Sequence, residues 1–340
     1  MADQVTEIVI ERKNKSRLEK PHSFVLGALF KIFVAIGTWY FSVALLEAYE
    51  FGDQAIYRRL YDQLIGVKIE DIGYYQESIT TSADPAFGLL MWLGSNFTTL
   101  SHTYFISIFN VLFVVLIVEY LIRNRATLSI SLFLTNYYLI VLLTGAERLK
   151  FAYMAAIAAA LTAGRIRSLI YLAISTAFHI QMLILYGAFA TGWLTAGMGG
   201  LARNAEGQAI RRYWFVFLLA AAGAAAIIFR YGSLVAFKIS AYYANLDPAE
   251  TFDLVLVLIV GLVALRSKAR FFVEIVFLMA VAMVVGDERV SMIGITLLAY
   301  NAIEQRRTMH PAIILILGYF SYKSIAFVQR IFDVGTGFGT

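Results

Sequence analysis

Apolar runs of roughly 15–25 residues recur along the whole chain, broken by short polar stretches, which is the pattern of membrane-crossing helices. The runs fall at 24–47, 103–122, 127–144, 149–163, 213–229, a stretch ending near 265, 271–286 and 289–303. A transmembrane barrel would instead alternate in segments of about ten residues. The stretch "PAFGLLMWLGSNFTTL" (85–100) makes only about 24 Å of helix, short against about 30 Å of hydrocarbon. It predicts an interfacial or re-entrant helix. The stretch 168–195 is expected to form two short arms that turn near Phe178 and His179, since a single span would put its flanking basic clusters on opposite sides. The expectation is an all-α, polytopic integral membrane bundle of about ten transmembrane helices, a single domain over 1–340. Residues 1–22 form a basic tail and 48–102 an outer-side loop carrying the interfacial helix.

Composition agrees with this pattern. Of 340 residues, 60% are hydrophobic and 15% charged, with a mean hydropathy of +0.72. The long basic N-terminal region, with no small-residue cleavage site after the first apolar run, does not read as a cleavable signal. There is no cysteine, which excludes disulfides, thiolate metal sites and cysteine nucleophiles. His22, His102, His179 and His310 are scattered, and no H-E-x-x-H, D-x-D, P-loop or dinucleotide fingerprint occurs, so metal and nucleotide chemistry are disfavoured.

Charge orients the bundle. The basic residues cluster between apolar runs, at 12–20, 123–125, 165–167, 203–212, 266–270 and 306–307. That placement follows the positive-inside rule, so these segments are expected in the cytoplasm and the net charge of +5 implies no nucleic-acid partner. The remaining polar segments then face the other way: the 48–84 loop, "GAERLK" (145–150), Phe178-His179, "KISAYY" (238–243) and "GDER" (286–289). Polar groups from distant parts of the chain converging at one depth are what a site at the outer membrane surface would look like.

Five stretches, in order, resemble one family. "GDQAIYRRLYDQL" (52–64), "DPAFGLLMWLGS" (84–95), "ERLKFAYMAAIAAAL" (147–161), "LIYLAISTAFHIQMLILYGA" (169–188) and "DERVSMIGITLL" (287–298) are similar to motifs of the EpsG-like branch of the Wzy-type polysaccharide polymerases. Leu149 stands where the family pattern has Gln. The resemblance implies a metal-independent glycosyltransferase of the bacterial inner membrane, with its site facing the periplasm and no cofactor. It would join undecaprenyl-diphosphate-linked oligosaccharide repeats into O-antigen or exopolysaccharide, among membrane lipids and with a chain-length regulator as a further partner. The alternatives are an O-antigen ligase-like transferase using the same donor, or a transporter or flippase of a lipid-linked saccharide. A transporter would be expected to carry an internal repeat and broken midplane helices.

Such a transfer needs fixed positive charge at the departing diphosphate and a base at the attacking hydroxyl. Arg148 and Arg289 begin helices on the outer side and are the expected diphosphate ligands, because a guanidinium is planar and never titrates. The bland alternative for both is an interfacial anchor. Glu147 and Glu288, each next to one of these arginines, and His179, set in an apolar arm, are the acid–base candidates. A helix cap or acidic first turn also accounts for Glu288. Asp53 and Tyr57, one turn apart on a shared face, are expected to touch the sugar, with a solvated amphipathic face as their alternative. Lys238 and Tyr242 are expected substrate contacts, with an aromatic belt as their alternative. Lys150 is expected to snorkel.

Overall fold

The computed structural model describes residues 20–82, 84–200, 248–285 and 287–338. Among them all regular structure is helical, with no strand. Helix α1 (Lys20–Ala48) packs along α5 (His102–Arg123). Between them run three short helices, α2 (Asp53–Gln63), α3 (Ile72–Thr80) and α4 (Pro85–Phe97). The two long helices are uniformly apolar, so neither has an amphipathic stripe to bury, and lipid-facing helices have this character. Across the pair, Glu119 accepts from Lys31 and, at 2.5 Å, from Arg123 in the last turn of α5.

Two breaks interrupt the middle of the chain. Helices α6 (Ile130–Leu134) and α7 (Tyr137–Thr144) are separated at Thr135 and Asn136, where the Asn136 side chain caps α7 by accepting from the Tyr138 N–H at 3.0 Å. The apolar run 127–144 is therefore bent by 57° and not one straight span. Helix α8 (Glu147–Leu161) comes next, with α9 (Arg165–Phe178) packed against it. The buried Ser175 hydroxyl bonds the Ala152 carbonyl at 2.7 Å and pins the two together. The chain then breaks at His179, and α10 (Met182–Gly200) packs instead against α12 (Lys268–Val285). The break falls where the two arms are expected to meet, at Phe178 and His179.

Helices α11 (Pro248–Ala264), α12 and α13 (Asp287–Glu304) pack together, and α14 (Pro311–Val334) lies against α7 and α11. Helix α14 falls outside the apolar runs expected from sequence, although it is 24 residues long, has Pro311 at its start and is N-capped by His310. Among the described residues, three helical stretches are long and apolar enough to cross a membrane, Gly27–Ala48, His102–Arg123 and Pro311–Val334, and the bent pair α6–α7 makes a fourth if it is one broken span. Of the expected spans, the run 213–229 lies outside the described residues, and helices α8 and α9, at 15 and 14 residues, rise only about 21–22 Å each.

Candidate functional site

Five of the residues singled out from sequence line one cavity of about 300 Å3: Asp53, Tyr57, Arg148, His179 and Arg289. They come from α2, α8, the α9–α10 break and α13.

The cavity is organised by a residue not among those expected, Asp84. It precedes Pro85, and the residue before a proline is confined to extended backbone; Asp84 sits at φ −80° and ψ 93°. Although it occupies the N-cap position of α4, its carboxylate makes no cap bond. It turns to the site instead. Its Oδ2 accepts from Arg148 Nη1 at 2.9 Å and from Ser82 Oγ at 2.6 Å, and lies 3.3 Å from His179 Nδ1. Burial works to raise the Asp84 pKa, but the His179 ring, Arg148 and the Ser82 hydroxyl outweigh it and hold the carboxyl well below the usual carboxylate range. Asp84 is thus a fixed anion that orients both a histidine and an arginine.

His179 gains a second fixed contact, Nε2 lying 3.0 Å from Gln181 Oε1. The imidazole is buried and held at both nitrogens. Asp84 behind Nδ1 selects the tautomer that carries its proton there; Nε2 is then the accepting nitrogen, and its contact with Gln181 is a hydrogen bond in the amide flip that presents the NH2 group to it. A ladder of rings, Tyr57 to Phe87 (5.3 Å), Phe87 to Phe151 (6.1 Å) and Phe151 to Phe178 (5.4 Å), packs α2, α4, α8 and the end of α9 together beside it.

The two arginines differ. Arg148 is committed to Asp84 and lies beside the Tyr57 hydroxyl. Burial, partly opposed by Arg148, pushes that hydroxyl up to about 12. Arg289 lines the cavity with no hydrogen bond or ion pair to a described residue. Asp53 begins α2 after Gly52, whose φ of +63° is a conformation glycine adopts without strain. Burial raises the Asp53 carboxyl above its ordinary value, against the pull of Arg289 and Arg148.

Glu147 is placed elsewhere. It is fully buried and does not line the cavity. Its Oε1 accepts from Gln54 Nε2 at 2.7 Å, and His102 Nε2 lies 3.4 Å from its Oε2. Lys150, expected to snorkel, is also fully buried. It donates to Asn110 Oδ1 at 2.6 Å, and Asn110 in turn reaches Ser42 Oγ at 2.7 Å and the Leu143 carbonyl at 2.9 Å. The turn between α7 and α8 is therefore not a solvated loop: its charges point into polar partners supplied by α1, α2 and α5. Lys238 and Tyr242 lie outside the described residues, and so does the Glu288 side chain. Among the described residues no group of His, Asp and Glu is arranged to hold a metal.

A second cavity of about 740 Å3 adjoins the first, with Met292 in the wall of both. It is hydrocarbon almost throughout, lined by residues such as Phe113, Leu142, Leu172 and Ile295. No protein-family model, curated protein or solved structure matches this chain.

Proposed function

We propose that the chain is an inner-membrane glycosyltransferase that polymerises undecaprenyl-diphosphate-linked oligosaccharide repeats on the periplasmic face, crossing the membrane about ten times. The observation that carries this reading is the meeting, in one cavity, of an uncommitted arginine, an aspartate-held histidine and a carboxyl with a raised pKa, drawn from four distant segments of a mostly apolar chain. The hydrocarbon cavity beside it supports a substrate that is polar at one end and polyprenyl at the other.

In this reading Arg289 receives the diphosphate, aided by Arg148. Asp53 accepts a hydrogen bond from the acceptor sugar, and His179 Nε2 takes the proton of its attacking hydroxyl. A bond forms between that oxygen and the anomeric carbon of the donor as the bond from that carbon to the diphosphate oxygen breaks. The electron pair leaves on the diphosphate, and Asp84 stabilises the imidazolium that results.

The test is the saccharide ladder of a deletion strain. Collapse to a single transferred repeat identifies a polymerase. Complete loss of transferred repeats identifies a ligase, and cytoplasmic accumulation of the lipid-linked unit identifies a flippase.

A further inference from the structure

The segment following α14 is built into the site. Gly335 ends α14 at φ +71°, its N–H bonded to the Ile331 carbonyl at 2.9 Å. Its own carbonyl accepts two N–H groups, from Glu50 at 2.9 Å and Phe51 at 3.0 Å. This fork lays residues 335–338 across the turn that leads into Asp53. A side chain at Gly335 would need both a left-handed backbone and room that the Phe51 ring takes, since a Cβ there would sit 3.0 Å from that ring.

Thr336 and Phe338 then line the same cavity as Arg148 and Arg289, and Phe51 joins them. The Phe338 ring lies against Gly145, where a Cβ would come within 3.0 Å of it. Its other neighbour is the Phe327 ring at 5.3 Å and 68°. Phe338 is thus wedged between the α7–α8 turn and α14, and has no freedom to leave the site without opening it.

The cavity lining therefore joins two kinds of group: the arginines, His179 and Asp53 are charged or polar, whereas Phe51 and Phe338 are flat hydrocarbon, and Thr336 adds a hydroxyl that reaches the Phe338 carbonyl at 3.5 Å. A diphosphate uses only the first kind. A pyranose matches both, because its hydroxyls face polar partners while its axial C–H groups form an apolar face that packs on an aromatic ring. Resting on the transferase reading, we propose that Thr336 and Phe338 form a saccharide subsite, with Phe338 as the platform under the sugar next to the diphosphate and Thr336 hydrogen-bonding to it. These residues would determine which repeat unit is accepted.

The test uses the full-length purified chain and two probes. One is undecaprenyl diphosphate, and the other is the same lipid carrying one repeat unit, isolated from the deletion strain. Binding of each is measured to wild type, Phe338→Leu, Phe338→Trp and Thr336→Val. Leu keeps apolar bulk and loses the flat face, so it should weaken the sugar-bearing lipid by about tenfold, roughly the upper worth of one aromatic packing contact. Thr336→Val, which removes the hydroxyl and keeps the shape, should weaken the same probe in the same direction. The sugar-free lipid should bind each of these variants within about twofold of wild type, and Phe338→Trp should hold both probes near wild-type affinity. If Phe338→Leu weakens the two probes equally, or weakens neither, the subsite is overturned while the diphosphate site stands. If wild type binds neither probe, the transferase reading and the subsite fall together.

Discussion

Arg148 Nη1 donates to Asp84 Oδ2 over 2.9 Å, joining the start of α8 to the residue ahead of α4. The same oxygen lies 3.3 Å from His179 Nδ1. One carboxylate therefore holds both a cation and an imidazole in a buried site, and both lose their counter-charge when it is removed.

Asp84→Asn should destabilise the protein by about 3–5 kcal/mol, the usual result of stripping one partner from a buried pair. The pH dependence has a definite sign. A carboxyl whose folded pKa is depressed stabilises the fold fully above its unfolded value near 3.9 and loses that contribution as pH falls toward the folded value. Thermal unfolding of the detergent-solubilised protein should show wild type losing its advantage over Asp84→Asn as the pH drops below about 4. A constant gap between the two down to about pH 2 would show that Asp84 is not the ionised hub.

The two arginines should respond differently to lysine. Arg289 acts on Asp53 through its charge and makes no hydrogen bond to a described residue, so Arg289→Lys, which keeps that charge, should leave folding intact and lower polymer synthesis. Arg289→Ala should reduce the rate by about 10²–10³, the typical worth of a donor at a developing anion. Arg148→Lys should cost thermal stability as well, because its fork is engaged by Asp84 and Tyr57. Normal chain lengths from Arg289→Lys and Arg289→Ala at equal membrane abundance would remove Arg289 from the site.

His179 and Glu147 separate chemistry from scaffold. His179→Ala should abolish polymer while the protein still accumulates in the membrane. Glu147→Gln keeps an acceptor for Gln54 and removes the charge that faces His102 and Lys150. Its main effect should be on the melting temperature, with polymer still made by the protein that folds. Full activity in His179→Ala would leave that residue a packing histidine.

The absence of native cysteine makes topology directly measurable by single-cysteine labelling. Asn124→Cys, Ile166→Cys and Lys268→Cys, all at exposed positions, should react only after the membrane is permeabilised. Glu70→Cys should react from outside in intact cells. Labelling of positions 70 and 166 from the same side would break the outer-face assignment.

Much of the cavity was legible because charge at the edge of an apolar run is costly, and that cost draws attention to Asp53, Arg148, His179 and Arg289. Asp84 was not, since an acidic residue ahead of a proline and a helix reads as an ordinary cap; only the fold shows its carboxylate turned away from α4. The burial of Lys150 did have a signal. Ser107 and Asn110 are polar, one turn apart in an otherwise apolar run, and their buried face receives the lysine's neighbourhood. Glu147 shows the opposite failure: adjacency to Arg148 in sequence put both in one site, but successive helical residues project about 100° apart, and the structure sends them to different clusters. Thr336 and Phe338 carried no mark in sequence, because their position depends on a carbonyl fork to Glu50 and Phe51, near the other end of the chain.

The interruption at His179 puts a joint beneath the proposed base. The arm before it travels with α8, to which Ser175 is pinned, while the arm after it travels with α12. Asp84 belongs to neither arm. A sliding of one helix pair past the other by about an ångström would stretch the 3.3 Å contact between His179 and Asp84 beyond hydrogen-bonding range. In the proposed mechanism, proton transfer at His179 then depends on both helix pairs at once, because their observed packing is what sets the imidazole against Asp84.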